Sequence, residues 1–234
     1  MKNETEATDV RSSHRQCLRA LSGFILLISA FLYLPGCNIF EAGGAAVYKV
    51  TGPPPVPAKY VPKADEPMLV LVENYEMPTA AYHDAEMLSR ALNEHLKTKK
   101  VAPLVATEPL YDLRTAQPKA YREMSIAGIG RTLGAKQVMY VELQQATVDA
   151  PTGSQLLRGR AGARVRIVDV DTGLNRWPPD AAEGYPVQFE TALPRNEDRV
   201  SETVTRQQMH AGLAEHIGRL FYKWKPLDTS PQDD

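Results

Sequence analysis

Leu156-Leu157-Arg158-Gly159-Arg160-Ala161-Gly162-Ala163-Arg164-Val165-Arg166-Ile167-Val168-Asp169-Val170 is the most regular stretch of the chain. Arg158, Arg160, Arg164 and Arg166 share one parity; Leu157, Ala161, Ala163, Val165 and Ile167 share the other. A period of two is the side-chain period of a β-strand, so the pattern predicts a strand with an apolar core face and an arginine face. Asp171-Thr172-Gly173 supplies turn chemistry after it. Trp177 and the breaker Pro178-Pro179 follow. From Tyr185 to Leu193 the chain alternates again, with Tyr185, Val187, Phe189 and Thr191 on one parity, which predicts a second strand paired with the first.

Working outward, Met68-Leu69-Val70-Leu71-Val72 is a continuous apolar run of strand length, as expected for a strand buried on both faces. His83 to Lys100 reads as a helix, with Ala85, Leu88, Ala91, Leu92, His95 and Leu96 at spacings of three and four. Val101 to Ala106 is expected as a strand, and Pro103 assigns it to an edge or a bulge. Pro118 to Leu133 is expected as one helix, started by Pro118 and closed by Gly134. Lys136 to Gln145 is a strong strand around Val138, Tyr140 and Val141. Ser201 to Lys225 reads as a long helix with the stripe Val204, Met209, Leu213, Ile217, Leu220, Phe221 and Trp224, capped by Ser201 and ended by Pro226. The order β-α-β-α-β-β-β-α predicts an α/β fold: a mixed β-sheet with helices packed on it.

The whole chain of 234 residues is 43% hydrophobic and 24% charged, with a net charge of -1. This is globular composition, and its charge balance argues against a nucleic-acid-binding protein. Both cysteines, Cys17 and Cys37, precede the expected domain, which excludes a disulfide framework there.

The N-terminal part has the layout of an address. Arg11, Arg15 and Arg19 lead into an apolar stretch reaching Leu34, and Phe24 to Cys37 ends abruptly in Gly36-Cys37. A positive region followed by an apolar one is the order of a secretory signal. An uncleaved membrane anchor at the short end of the spanning range and a buried core helix are the competing readings. Leu34-Pro35-Gly36-Cys37 resembles a bacterial lipobox, with Pro35 its departure from the usual pattern. That resemblance implies signal cleavage after Gly36 and fatty acylation, palmitate included, at Cys37. Two or more acyl chains hold a protein stably at a bilayer, each buried CH₂ contributing ~0.8 kcal/mol. The expected organisation is residues 1–36 as signal peptide, 37–67 as lipid-anchored tether, 68–226 as α/β module and 227–234 as a flexible tail. The tether carries Pro53, Pro54, Pro55, Pro57, Pro62 and Pro67. In polyproline II at ~3.1 Å per residue it would span at most ~90 Å.

Two stretches resemble a known group. Ile126 to Leu143 (IAGIGRTLGAKQVMYVEL) looks like the helix-Leu-Gly-Ala-strand junction of small bacterial envelope lipoproteins. Val165 to Gly173 (VRIVDVDTG), followed by Trp177, looks like the strand and turn that the same group carries before an aromatic. The group includes LpoB, the amino-terminal domain of TolB, and CsgG. The resemblance implies a non-enzymatic module that binds another envelope protein, possible roles including regulation of an envelope synthase. It also implies a place in the cell envelope, at the periplasmic face of the outer membrane.

Motifs for chemistry are sparse. Gly128-Ile129-Gly130 with Gly134 falls late in an expected helix, where packing and capping explain it better than phosphate binding. His83, His95, His210 and His216 have no metal-ligand spacing, and no GxSxG elbow occurs. The reading therefore assigns no catalytic residue, metal or cofactor. Arg158, Arg160, Arg164, Arg166 and Trp177 are the candidate partner-binding residues. The arginine row would attract an acidic partner, unless acids of neighbouring strands neutralise it. Trp177 suits either a recognition loop or the core. Expected partners are a membrane, through the lipid, and an envelope protein, with no nucleic acid. An oligomeric assembly or secretion subunit is the alternative function, and an envelope hydrolase a further one.

Overall fold

A computed structural model describes residues 53–74, 81–150, 156–192 and 201–226. The apolar run, Gly36, Cys37 and the tail from 227 onward lie outside the described residues. The compact unit is Pro55–Pro226.

Its elements are β1 (Met68–Glu73), α1 (Ala81–Thr98), α2 (Glu108–Ala116), α3 (Pro118–Glu123), α4 (Ile126–Thr132), β2 (Gln137–Asp149), β3 (Arg158–Asp169), β4 (Asn175–Trp177), β5 (Tyr185–Glu190) and α5 (Glu202–Gly218). β1 pairs parallel with β2, and β2 pairs antiparallel with β3. β4 and β5 both pair antiparallel with β3. The mixed sheet with packed helices is thus the architecture expected from the patterning.

Both faces of β1 are buried, as its unbroken apolar sequence requires. Met68, Val70 and Val72 join one core with Met139, Val141, Val165 and Ile167, covered by the α1 stripe Leu88, Leu92 and Leu96 and by Met209, Leu213 and Ile217 of α5. Leu69 and Leu71 join a smaller core with Val138, Tyr140, Val168 and Val170, covered by Leu110, Tyr121 and Ile129. Burying one such aliphatic side chain contributes about 1.5–3 kcal/mol.

Five details differ from the sequence expectation. The expected strand at 101–106 is reduced to one parallel bridge between Met68 and Leu104. The expected helix 118–133 is two helices: Met124 is extended (φ -75°, ψ 140°) and the Ser125 side chain caps a new start by accepting from the Gly128 N–H. α2 has Leu110 as its buried residue and hence no apolar stripe to read. α5 stops at Gly218, because the next carbonyls serve other partners: Leu220 O accepts from the N–H groups of Lys59 (2.8 Å) and Tyr60 (3.1 Å). Val204, expected in the stripe, is 41% exposed.

Residues 55–67, which the sequence reading assigns to the tether, lie against the domain. Val56 and Trp224 exchange backbone hydrogen bonds of 2.8 and 3.1 Å. The Tyr60 ring stacks on Trp177 at 6.3 Å, and Lys59 Nζ lies 5.0 Å from the Tyr185 ring centroid. The fully buried Gln137 donates through Nε2 to the carbonyls of Lys63 and Glu66, both at 3.0 Å. A buried side-chain amide bonded to two backbone carbonyls fixes this segment where a proline-rich sequence alone would leave it extended and free.

α5 comes close enough to β5 that Gly212 has no room for a side chain. A Cβ there would stand 2.1 Å from Phe189 Cζ. Gly212→Ala is expected to push Phe189 or the helix outward and lower stability by ~1–3 kcal/mol, as overpacking does. Urea unfolding of the two proteins checks this, with a lower midpoint at unchanged slope expected for the variant.

Candidate functional site

The arginine row lies on the sheet face that carries the smaller core. α2 to α4 cover the end of that face around Val138 and Val168. Toward the β2–β3 connection the arginines continue it. Arg158 pairs with Glu190 (2.6 Å), Arg160 with Asp149 (2.6 Å) and Arg164 with Glu183 (2.7 Å). Arg166 donates to the Ala182 carbonyl (2.8 Å) and lies over the Tyr140 ring at 4.6 Å. Neighbouring strands and the loop before β5 therefore neutralise most of the row. Such partly exposed pairs contribute about 0–1 kcal/mol each, so the core beneath holds this face and the pairs can exchange.

Trp177 is elsewhere. It is only 8% exposed and belongs to the larger core on the opposite face. Its ring meets Tyr185 at 5.3 Å and Phe221 at 5.5 Å. The arginines and Trp177, expected together as partner-binding residues, do not share a surface, because Trp177 follows the β3 turn back onto the core side at its pairing with Ile167.

Three polar clusters join residues far apart in the chain, which hides all but the turn of the third from a sequence reading. At the carboxyl end of β1, Arg114 donates to Glu73 Oε1 (2.8 Å), to the Val72 carbonyl (3.0 Å) and, through Nε, to the Tyr121 hydroxyl (2.9 Å). Tyr121 in turn donates to Glu73. Burial first, and then the Glu73 carboxylate, push the Tyr121 pKa up, so its hydroxyl remains a donor. A cleft of about 450 Å³ opens beside this cluster, walled by Leu71, Met124, Ile126 and Ile129.

Asp84 in the first turn of α1 is 3% exposed. It accepts from Arg206 (3.0 Å) and from Nε2 of the buried His210 (2.8 Å). Burial opposes its charge, but His210 and Arg206 outweigh burial and leave its pKa lowered. The cluster joins α1 to α5 and is spent on that joint. Among the described residues no group of His, Cys, Asp or Glu is arranged to hold a metal ion.

The third cluster closes the turn after β3. Asp169 Oδ1 accepts from the N–H groups of Asp171 (2.9 Å) and Thr172 (2.8 Å), and Oδ2 accepts from Arg176 Nε (2.7 Å). Arg176 also pairs with Glu66 of the packed N-terminal segment. The turn is legible as Asp171-Thr172-Gly173; the arginine that ties it to Glu66 is not.

A second cleft, of about 1170 Å³, runs along residues 102–107 between α1 and α2. Tyr111 on its rim is 64% exposed.

No protein-family model matches the chain, and no curated protein matches it. Solved structures do. The lipoprotein GNA1162 from Neisseria meningitidis is 11% identical with a TM-score of 0.43, over 65% of this chain and 97% of that one. The PelC dodecamer from Paraburkholderia phytofirmans is 16% identical with a TM-score of 0.34, over 74% and 95%. The C-terminal domain of LpoB from Salmonella enterica, a member of the group the sequence resembles, is 15% identical with a TM-score of 0.34, over 63% and 90%.

Asp169 gives this region a pH signature. The Thr172 N–H and the Arg176 guanidinium hold its pKa at about 2, below the ordinary 3.8. The folded-state value is depressed, so its contribution is fully present above pH 3.8 and is lost as pH falls through about 2. The stability difference between the protein and Asp169→Asn is expected to be largest above pH 4, to shrink between 3.8 and 2, and to vanish below that. Urea midpoints from pH 6 to pH 2 measure it.

Proposed function

We propose that the chain is a lipid-anchored accessory protein of the bacterial cell envelope, held at the periplasmic face of the outer membrane, which works by binding another envelope protein. The observation that carries this reading is the apolar run ending in Gly36-Cys37, placed shortly before the chain docks on a folded domain at Pro55. Signal cleavage after Gly36 would leave residues 37–54 as the free arm. At ~3.1 Å per residue that arm reaches at most ~55 Å. The first strongly held contact is the Val56–Trp224 pairing, so the arm leaves the domain at a defined point.

A binding role accords with how the domain spends its ionisable groups. Glu73, Asp84 and Asp169 each accept from an arginine, and the pKa values of Asp84 and Asp169 are lowered. A general acid or base needs a pKa near the working pH and access to a substrate proton; Asp84 is buried and its pKa is lowered.

Metabolic labelling with a fatty acid tests the anchor. The full chain is expected to take up label and fractionate with membranes, and Cys37→Ala is expected to lose both. Label that persists in the variant would refute the lipid anchor. Photo-crosslinking of the full chain in intact envelopes tests the binding role, with one specific protein partner expected.

A further inference from the structure

The sheet ends, beyond β1, on a free strand edge. Residues 103–105 meet β1 in one parallel bridge, where Met68 N–H donates to Pro103 O (2.8 Å) and Val105 N–H donates to Met68 O (2.9 Å). In an extended chain the N–H and C=O of one residue point to the same side, and successive residues alternate. Pro103 and Val105 use the side facing β1. Leu104 therefore turns its N–H and C=O away from the sheet, and Ala106 follows on the same side. Pro103, which has no N–H, occupies a position where only its carbonyl is needed, so the outer edge loses no donor.

This outward side is the floor of the larger cleft, which α1 and α2 wall on its two flanks. A strand added there would lie between two helices, as β1 does. Between the bends at 102 and 107 the floor has four residues, which corresponds to roughly 13 Å, the length of a short strand.

The cleft also has polarity. Lys97 in the last turn of α1 and Lys100 just beyond that helix precede the floor, beside Glu94 of α1, and Glu108 and Asp112, one turn apart on α2, follow it. All five are exposed, and among the described residues none of them is in an ion pair. This separates the cleft from the arginine row, whose charges are answered within the domain. The balance is positive at one end of the strand edge, two lysines against Glu94, and negative at the other.

We propose that this edge docks an extended segment of a partner protein, which adds to the sheet as a strand outside residues 102–106. The segment carries acidic residues where it passes Lys97 and Lys100 and basic residues where it passes Glu108 and Asp112. Main-chain hydrogen bonds supply the attachment, and the charged ends fix the direction. The proposal rests on the reading of the chain as a binding protein and locates the surface that does the binding.

The test uses the full chain in detergent and a fluorescent peptide. The peptide alternates threonine and valine, with two aspartates at one end and two lysines at the other; its sequence reversal is measured in parallel. Two further versions are N-methylated, one on the odd and one on the even residues. Strand addition uses alternate N–H groups, so one methylated version is expected to lose binding at least tenfold while the other retains it. Bound peptide is expected to slow amide exchange at Leu104 and Ala106. Lys97→Glu with Lys100→Glu is expected to weaken the peptide at least tenfold, and lysines in place of its aspartates restore it. Equal binding of both methylated versions, or unchanged exchange at Leu104 and Ala106, overturns the proposal. Concentration-dependent self-association of the chain that the peptide competes away also overturns it, because the occupant is then a second copy. A partner that crosslinks only through the arginine face overturns the edge while leaving the binding reading intact. Peptide binding with no partner found in the envelope does the reverse.

Discussion

β3 carries the structure, because three strands depend on it at once. β2 pairs along its whole length, β5 along its first half and β4 at its end. A strand so used must present a face that helices can approach closely. Its apolar face is therefore built from small residues at one end, Gly159, Ala161 and Ala163, and larger ones at the other, Val165 and Ile167. The consequence is seen at Gly159, where a Cβ would stand 2.9 Å from Met209 Cβ of α5. Backbone proximity, more than any single contact, decides where α5 can lie. Phe189 and Trp177 then fill the remaining space beside it.

The opposite face follows a different logic. Only half of it is covered by short helices, which bury one or a few residues each. The exposed half is laid out in arginines and acids, which keep a strand soluble while contributing little to stability. The domain is accordingly asymmetric, with a thick core under α1 and α5 and a thin one under α2 to α4.

How much of this is legible in the sequence depends on whether the signal is periodic. β3, β5 and α1 are readable because their apolar positions repeat along the chain, and β1 because its apolar run is unbroken. α2 is not, because one buried leucine makes no repeat. The end of α5 was misplaced because Leu220 and Phe221 remain buried after the helix has stopped, so hydrophobicity continued past the hydrogen bonds. Pro103 marks the place of the edge at 101–106, but nothing in the sequence shows that its pairing is confined to one bridge. Of the proposed interaction surface, the flanking lysines and acids can be read from the chain; that they bracket a free backbone edge cannot, since this depends on a contact between residues 68 and 104. The Glu73–Arg114–Tyr121 and Asp84–Arg206–His210 clusters share that limit, as does Arg176 with Glu66.

The pairing of Val56 with Trp224 places both ends of the compact unit side by side. This arrangement has a mechanical meaning. A pull on the chain from its N-terminal side reaches residues 220–224 before it reaches β1. The load is first met by a few backbone hydrogen bonds and by the Tyr60–Trp177 stack, which can peel one after another. The sheet behind them is shielded until Gln137 and Arg176 are drawn on. The N-terminal segment thus acts as a strain relief, lengthening the arm by about ten residues under tension while the folded body, and the edge beyond β1, keep their shape.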